Sequence, residues 1–202
     1  MTTIAAALLL TACTGQSQQS ASTEQTAEPT TAAPAATLKY HDAVAIDMAT
    51  GAVKSIDYAY GNDDDDDEYV GNITYDRDGA CTAPHISNIK RDDQGYPISY
   101  RSGDSDDTHT IEVQYDDQHR VTTLIVSNDF ETETHTFTRD AQGRIIQETE
   151  KEVDNDTHHI DTDITRYEYL STDPQGNWTK RKCTDDDGDT MIERRRITYW
   201  NK

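Results

Sequence analysis

Apolar and polar residues alternate along most of the chain from residue 86 onward. Ile111, Val113 and Tyr115, for example, are separated by Glu112 and Gln114. A period of two is typical of a β-strand that buries one face. The pattern predicts strands near residues 86–91, 96–101, 109–115, 120–126, 132–138, 144–153, 159–170, 177–184 and 190–200.

A short turn motif, Asp-x-x-Gly, recurs between these predicted strands. It stands most clearly in residues 115–121 and 139–145, and related copies occur at 75–79, 91–98 and 173–178. Asp opens a type I turn, and the residue three positions later adopts the left-handed conformation that Gly favours. His119 replaces Gly in one copy, which is tolerated because His is enriched at positive φ. Residues 47–51 look like a degenerate first turn between two further strands, with Val44 and Ile46 in the first of them.

A second, wider and acidic connection alternates with these tight turns, at 103–107, 128–131, 154–156 and 185–189. One tight turn and one wide loop per unit predict a hairpin meander, with all tight turns along one border of the sheet and the acidic loops along the other. The predicted fold is therefore all-β: an antiparallel meander of repeated hairpins forming an extended, twisted, largely single-layer sheet. A curled half-barrel or a sandwich is the alternative. The last strand ends with the chain, and we expect it to be an exposed edge.

The composition is unusual for a folded domain. The net charge is −21 and only 33 % of the residues are hydrophobic, which is the range typical of disordered chains. The strand periodicity and the eleven tyrosines favour a folded sheet instead. The acidity excludes nucleic acid as a partner, because its phosphates would be repelled.

The first residues are typical of an export signal. The apolar run Ile4–Leu10 is too short to span a membrane. Leu10-Thr11-Ala12-Cys13 resembles the lipobox of bacterial lipoproteins, and the resemblance implies that Cys13 is acylated and anchors the exported protein, with Thr14 favouring the outer membrane. The predicted organisation is a signal over residues 1–13, a tether rich in Ser, Thr and Pro over 14–37, and a β-meander repeat domain over 38–202.

The core of the repeat, Tyr-Asp-x-x-Gly-Arg-aliphatic, resembles the YD repeat of the Rhs family over roughly residues 70–200. The matching positions are Tyr115, Asp116, Arg120 and Val121 in one copy and Asp140, Gly143, Arg144 and Ile145 in the next. Departures are His119 in place of Gly and Arg139 in place of Tyr. The chain is far too short for the shell of a large Rhs protein and looks more like the small YD-repeat-like lipoproteins of Gram-negative envelopes. The resemblance implies a β-architecture and a surface location, and it brings no catalytic residue.

Two groups of side chains are candidates for ligand binding. An aromatic group is either the main apolar layer of the sheet or a platform for a glycan or peptide; its members are Tyr167, Tyr169, Trp178, Tyr199 and Trp200. A basic group at 180–182 and 194–196 either pairs across strands with Glu148, Glu150 and Glu152 or forms an anion site. The first alternative is favoured for the basic group.

No metal spacing is recognisable. The acidic runs Asn62–Glu68 and 185–189 do not fit an EF-hand loop, so a loose Ca²⁺ site at Asp185, Asp187 and Asp189 is a weak candidate. The seven histidines are scattered, although His109 and His135 could approach across strands. Cys81 and Cys183 are expected to be free thiols, because an open meander places them near opposite ends of the sheet.

No local frame for nucleophilic or acid–base catalysis is present. The sequence therefore predicts a non-enzymatic envelope lipoprotein without a cofactor, held at the membrane by its lipid and acting as a structural or binding module for an unknown protein or glycan. The alternative is a Ca²⁺-dependent or glycan-binding module that uses the acidic loops or the C-terminal aromatic group.

Overall fold

The computed structural model describes residues 37–61, 69–104 and 107–201. The predicted signal with its lipobox Cys13, the tether up to residue 36 and the acidic run Asn62–Glu68 lie outside the described residues. Within the described ranges, no helix is long and apolar enough to cross a membrane.

The described chain is all-β, with one short helix before the first strand. Its elements are α1 Asp42–Ile46, β1 Val53–Gly61, β2 Tyr69–Thr74, β3 Ile86–Arg91, β4 Pro97–Asp104, β5 Asp107–Tyr115, β6 Val121–Ser127, β7 Glu131–Arg139, β8 Ile145–Asp154, β9 Ile160–Thr172, β10 Trp178–Thr184 and β11 Thr190–Tyr199. The nine strands predicted from residue 86 onward are all found, with bounds within a few residues of the prediction. The all-β prediction is confirmed.

One open antiparallel sheet contains all eleven strands, in the order β2-β1-β11-β10-β9-β8-β7-β6-β5-β4-β3. Strands β3 to β11 follow one another as a meander, which confirms the predicted topology. The hairpin of β1 and β2 joins the far side of β11, so that Ile56 pairs with Ile197 and Tyr58 with Arg195. The expectation that the last strand is an exposed edge was wrong, because β1 covers β11 and the edges are β2 and β3.

The sheet curls around α1. Its two edge strands are consecutive in the chain, and only residues 75–85 connect them. Ten gaps of about 4.8 Å would set the edges of a flat sheet about 48 Å apart, whereas eleven residues reach about 36–40 Å when fully extended. This connection also contains the turn at Asp76, so its reach is shorter still. Ile46 in α1 packs against two buried clusters, one containing Ile56 of β1 and the other Ile111 of β5.

Five tight turns along one border have the same geometry. In each, the Asp Oδ1 accepts hydrogen bonds from the second and fourth backbone N–H groups that follow it, as Asp116 does from Gln118 (2.9 Å) and Arg120 (3.0 Å). The third residue has positive φ, which is 55° for His119. The turns begin at Asp76, Asp92, Asp116, Asp140 and Asp173. These turns define what we call the tight-turn border, and they confirm the predicted motif.

The opposite, acidic border carries the wide loops between β4 and β5, β6 and β7, β8 and β9, and β10 and β11. One of these differs from the prediction. Asp185 closes a tight turn of the same kind, since its Oδ1 accepts from Asp189 N–H at 2.7 Å and Gly188 has φ 90°. The Asp-x-x-Gly turns are therefore not confined to one border. The motif fits any tight connection between two antiparallel strands, so the direction of the strands at a turn determines the border on which that turn lies.

The segment before β1 also differs from the prediction. Val44 and Ile46 lie in α1, not in a strand, and residues 47–51 lead from the helix into β1. Before the helix, residues 39–41, here called the crossing segment, lie over the tight-turn border. Tyr40 N–H donates to Asp78 O (2.8 Å) and His41 N–H to Gly95 O (3.0 Å). The crossing segment thus ties together the turns beside the two edge strands.

Candidate functional site

A cavity of about 450 Å³ lies between α1 and the concave face of the sheet, at the tight-turn border. Its apolar lining comes from Val44, Ile46 and Met48 of the α1 region and from Val121 and Ile145 of the sheet. The other walls are aromatic and cationic. They comprise Tyr58, Tyr60, Tyr96, Tyr169 and Trp178, together with Arg120, Arg139, Arg144, Arg181 and Arg195.

Four strands carry a hydrogen-bond donor at an equivalent place in this region. Each donor reaches the backbone carbonyl of the first residue of the strand that precedes its own. The four bonds are Tyr115 to Pro97 (2.7 Å), Arg139 to Val121 (2.8 Å), Tyr169 to Ile145 (2.8 Å) and Arg195 to Trp178 (2.7 Å). We call these four donors the border ladder. They hold the strand ends of β4, β6, β8 and β10 in place beside the tight turns.

Three of the five cavity arginines form ion pairs. Their partners belong to the sheet itself: Arg120 with Asp116, Arg144 with Asp140 and Arg181 with Glu193. In the first two pairs, the guanidinium group contacts the Asp that opens the turn in which the arginine lies, with Nη2–Oδ2 distances of 2.6 and 2.7 Å. These three charges are therefore balanced locally.

Arg139 and Arg195 are different, because neither has an ion-pair partner among the described residues. Their hydrogen bonds go to backbone carbonyls, including Gly143 O for Arg139 (2.9 Å) and Asp47 O for Arg195 (2.7 Å). Arg195 is only 3 % exposed. Its Nη2 and the Nε of Arg139 are buried without a hydrogen-bond partner. Burial lowers the pKa of both guanidinium groups.

Asp47 lines the cavity and is only 8 % exposed. The hydroxyls of Tyr58 and Tyr75 each donate a hydrogen bond to its carboxyl group, the first at 2.5 Å. Burial raises the pKa of Asp47, although these two hydrogen bonds and the charge of Arg195 oppose the shift. Burial and the Asp47 charge in turn raise the pKa of Tyr58. The carboxyl oxygens of Asp47 are therefore held by the two tyrosine hydroxyls, and Arg195 bonds to the Asp47 backbone carbonyl instead.

The five aromatic residues singled out from the sequence do not share one surface. Tyr169 and Trp178 line the cavity, while Tyr167 borders a smaller cavity of about 180 Å³ next to it. Tyr199 lies at the turn of Asp173, to which its hydroxyl donates a hydrogen bond. Trp200 lies away from the cavity, beside edge strand β2, where its Nε1–H is 3.0 Å from Asp76 O.

Trp178 is the centre of a cation–π stack. The guanidinium carbon of Arg181 lies 4.3 Å from the ring centroid and that of Arg195 lies 4.0 Å from it. Such stacks stabilise guanidinium groups that have lost water. Tyr60, which is 50 % exposed, was not singled out from the sequence and also reaches this cavity.

Two arginines of the basic runs pair with carboxylates outside strand β8, the strand on which the favoured prediction placed their partners. Arg181 pairs with Glu193, and Arg196 with Asp57 at 3.1 Å. Strand β9 lies between β8 and β10. The carboxylates of β8 therefore face the strands next to them.

The one group of described residues that could hold a metal ion is His135 with Glu148 and Glu150, whose ligand atoms lie within 4.8 Å of one another. Both imidazole nitrogens are already engaged: Nδ1 is 2.8 Å from Glu148 and Nε2 is 3.2 Å from Glu133. Burial opposes protonation of His135, but the surrounding carboxylates outweigh it and raise its pKa.

The weak calcium candidates lie elsewhere. Asp185, Asp187 and Asp189 are exposed on the acidic border, and Asp185 accepts the hydrogen bond that closes its own turn. None of the three belongs to the metal-capable group found among the described residues.

Both cysteines of the sheet domain are free thiols in the structure. Burial raises the pKa of Cys81 to about 11 and that of Cys183 to about 12. At neutral pH both are protonated, and a thiol is a weak nucleophile in that form.

No family model matches the sequence, and no curated protein matches it at a significant level. The resemblance to YD-repeat lipoproteins and the lipobox therefore stay predictions, and the functional argument depends on the geometry of the cavity.

Proposed function

We propose that this protein is a non-enzymatic binding module of the bacterial cell envelope, anchored through a lipid on Cys13, that holds a small organic molecule in the cavity beside α1. The cavity is the observation that carries the proposal. Its volume of about 450 Å³ falls in the range of about 300–1,000 Å³ of small-molecule sites. Apolar and aromatic walls with a few directed polar groups are also typical of such sites.

Binding is favoured over catalysis because the acidic side chains of the walls are engaged in structural contacts. Asp47 accepts hydrogen bonds from two tyrosine hydroxyls, and Glu193 pairs with Arg181. A general base needs a lone pair within reach of the substrate. These groups offer their lone pairs to the protein itself.

The position of the cavity fits an anchored protein. Its lining includes the turn residues Gln118, Gln142 and Gly176, so it lies at the tight-turn border. The crossing segment lies over the same border, so a tether over residues 14–37 would leave the domain there. A flexible tether of that length has a root-mean-square reach of about 27 Å. The acidic border then points away from the membrane, whose anionic surface would repel it.

A glycan is the second candidate for the bound molecule. Tyr60 is half exposed and lies parallel to Tyr58, with ring centroids 6.4 Å apart. An exposed ring of this kind can stack against the face of a sugar. The Ca²⁺-dependent version of the alternative predicts a rise in melting temperature at millimolar Ca²⁺, since a ligand that binds only the folded state stabilises it. An unchanged melting temperature would remove that version.

Tryptophan fluorescence tests the proposal directly. The chain has two tryptophans, so Trp200→Phe leaves Trp178 as a reporter in the cavity wall. We expect at least one of three single-ring probes, benzoate, benzyl alcohol or benzylamine, to change its emission saturably. Trp178→Phe leaves the reporter outside the cavity, and its emission should not respond. If none of the three probes changes the emission of Trp178 or the melting temperature, the cavity is not a binding site and the proposal fails.

The anchor has a separate test. Cys13→Ser should move the protein from the membrane fraction to the soluble fraction of the cells and abolish labelling by a radioactive fatty acid. Unchanged fractionation of this variant would reject the anchor without affecting the cavity.

A further inference from the structure

We infer that the molecule held in this cavity is an organic anion, whose negative charge is balanced by Arg139 and Arg195 in the cavity wall and whose ring lies against the aromatic walls. The inference rests on the proposed function, because it assigns the chemistry of the ligand in the same cavity.

The first argument is the imbalance of charge within the cavity. Of its five arginines, three have carboxylate partners, while the described part of the chain offers none to Arg139 and Arg195. The chain as a whole carries 39 acidic and 18 basic residues, so carboxylates are abundant. Burying an unpaired charge is costly unless a counter-ion is supplied. An anionic ligand supplies it.

The second argument comes from the border ladder. Tyr115 and Tyr169 make the same bond to a strand-start carbonyl that Arg139 and Arg195 make. A neutral hydroxyl is therefore sufficient for this structural role. The two arginines make the same hydrogen bond, add a second one to Gly143 O or Asp47 O, and bring a positive charge that no carboxylate among the described residues pairs with.

The third argument is the number of hydrogen-bond donors. A guanidinium group has five N–H donors in a planar fork that matches a carboxylate or phosphate. Arg139 and Arg195 each show two hydrogen bonds, leaving the Nε of Arg139 and the Nη2 of Arg195 buried and unpartnered. Buried donors of this kind are rare in folded proteins. Both side chains line the cavity, so an anionic ligand that draws the two guanidinium groups towards it supplies the acceptor that the protein does not.

The remaining walls indicate what the anion is attached to. Ile46, Met48 and Val121 are apolar, and Tyr60 and Tyr169 offer ring faces or edges. These surfaces favour a flat apolar ring over a fully hydrated ion. An organic ring bearing a carboxylate or phosphate group satisfies both parts of the cavity.

The test compares probes that differ only in charge, with the Trp200→Phe protein as reporter. We expect benzoate and phenyl phosphate to change Trp178 emission saturably, with dissociation constants at least about tenfold below that of benzyl alcohol. Inorganic phosphate, which lacks the ring, should bind more weakly than phenyl phosphate. Equal affinity for benzoate and benzyl alcohol would overturn the inference while leaving the cavity a binding site. If none of the probes changes the Trp178 emission, the proposed function is rejected as well.

The decisive variant is Arg139→Tyr, which places at this position the residue that two of the other three ladder positions carry. It keeps a donor for Val121 O and removes the charge, so we expect benzoate affinity to fall about tenfold or more while benzyl alcohol is unaffected. Arg139→Lys keeps the charge and should lose less affinity. The matched control is Arg101→Gln, which removes one exposed arginine outside the cavity and should leave benzoate binding unchanged. Unchanged benzoate affinity in Arg139→Tyr would overturn the inference.

Discussion

Replacing Gly95 with alanine tests whether the crossing segment packs on the tight-turn border. Gly95 has φ 88° and Gly176 has φ 85°, and both occupy the same place in the same kind of turn. A Cβ on Gly95 would lie closer than 3.0 Å to Lys39 O, whereas a Cβ on Gly176 would meet nothing within 4 Å. The two substitutions therefore share their backbone strain and differ only in the segment that lies above the turn.

The structure gives the size of the difference. Alanine in the left-handed region costs about 1–2 kcal/mol at either position. At Gly95 the crossing segment must also move, which endangers the bonds of Lys39 and Tyr40 to Asp78 O and of His41 to Gly95 O. Three hydrogen bonds at about 1 kcal/mol each add about 1–3 kcal/mol. We expect Gly95→Ala to destabilise the protein by about 2–5 kcal/mol in total.

Urea unfolding of the two variants measures this difference, read from the transition midpoints with unchanged slope. Gly176→Ala is the control and should lose about 1–2 kcal/mol. Gly79→Ala should behave like Gly95→Ala, because its Cβ would meet Tyr40 O in the same way. Losses that agree within about 0.5 kcal/mol for all three variants would show that the crossing segment is not packed on this border.

Three further predictions concern buried polar groups. Asp42 is fully buried and accepts two hydrogen bonds from Arg91, whose side chain is 21 % exposed. Asp42→Asn should therefore lower the free energy of unfolding in urea by about 3 kcal/mol, the lower end of the range for broken buried ion pairs. A loss below about 1 kcal/mol would contradict the pairing. The pKa of His135 is raised above 6.5, so its stabilising contribution should be complete below that pH and lost as the pH rises through the folded value. Glu148→Gln should shrink this pH dependence and lower the pKa of His135 measured by NMR; an unchanged pKa would refute the contact. The thiols of Cys81, which is partly buried, and Cys183, which is buried, have pKa values of about 11 and about 12. They should react with iodoacetamide far more slowly in the folded protein at pH 8 than in urea, and equal rates would show that they are accessible.

The strands and turns could be predicted because their signals are local. Strand β7 was expected at 132–138 and is found at Glu131–Arg139. The period of two shows which residues share a face, and the Asp Oδ1 that closes each turn accepts hydrogen bonds only from the next four residues. Neither signal depends on contacts with distant parts of the chain.

The helix and the closing hairpin could not be predicted in this way. A five-residue helix is too short to show a period of 3.6, and the spacing of Val44 and Ile46 looks like a strand. What fixes α1 is tertiary: Asp42 binds Arg91, 49 residues later, and Arg195 binds Asp47 O, 148 residues later. The pairing of β1 with β11 has the same character, and no local pattern indicates it.

The cavity was missed for the same reason, although the sequence does contain one signal. Arg139 stands where the repeat carries Tyr, and this departure marks a position of the border ladder whose side chain gained a charge. Arg195 was assigned to a basic run whose expected partners were carboxylates on β8. Only the curl of the sheet brings Arg139 and Arg195 together with Tyr60 and α1.

The unpaired arginines lead to one more prediction. Without its ligand, the protein should be no more stable than a variant that carries Tyr, the residue of the repeat, in place of Arg139. An unpaired guanidinium in the cavity wall costs desolvation energy that no ion pair returns. Arg139→Tyr removes that cost and keeps the ladder hydrogen bond, so its free energy of unfolding without ligand should equal or exceed that of the unmodified protein. Binding residues commonly reduce stability in this way.

The same comparison with benzoate present should reverse the order. Benzoate bound to the folded state raises stability by RT ln(1 + [L]/Kd), about 2.7 kcal/mol at one hundred times the dissociation constant. The unmodified protein should gain this increment and Arg139→Tyr should gain little. Thermal melting of both proteins with and without benzoate measures the four values. If Arg139→Tyr lowers the free energy of unfolding by more than about 1 kcal/mol without ligand, Arg139 is needed for the sheet itself. Its charge would then stabilise the fold and would not be reserved for binding an anion.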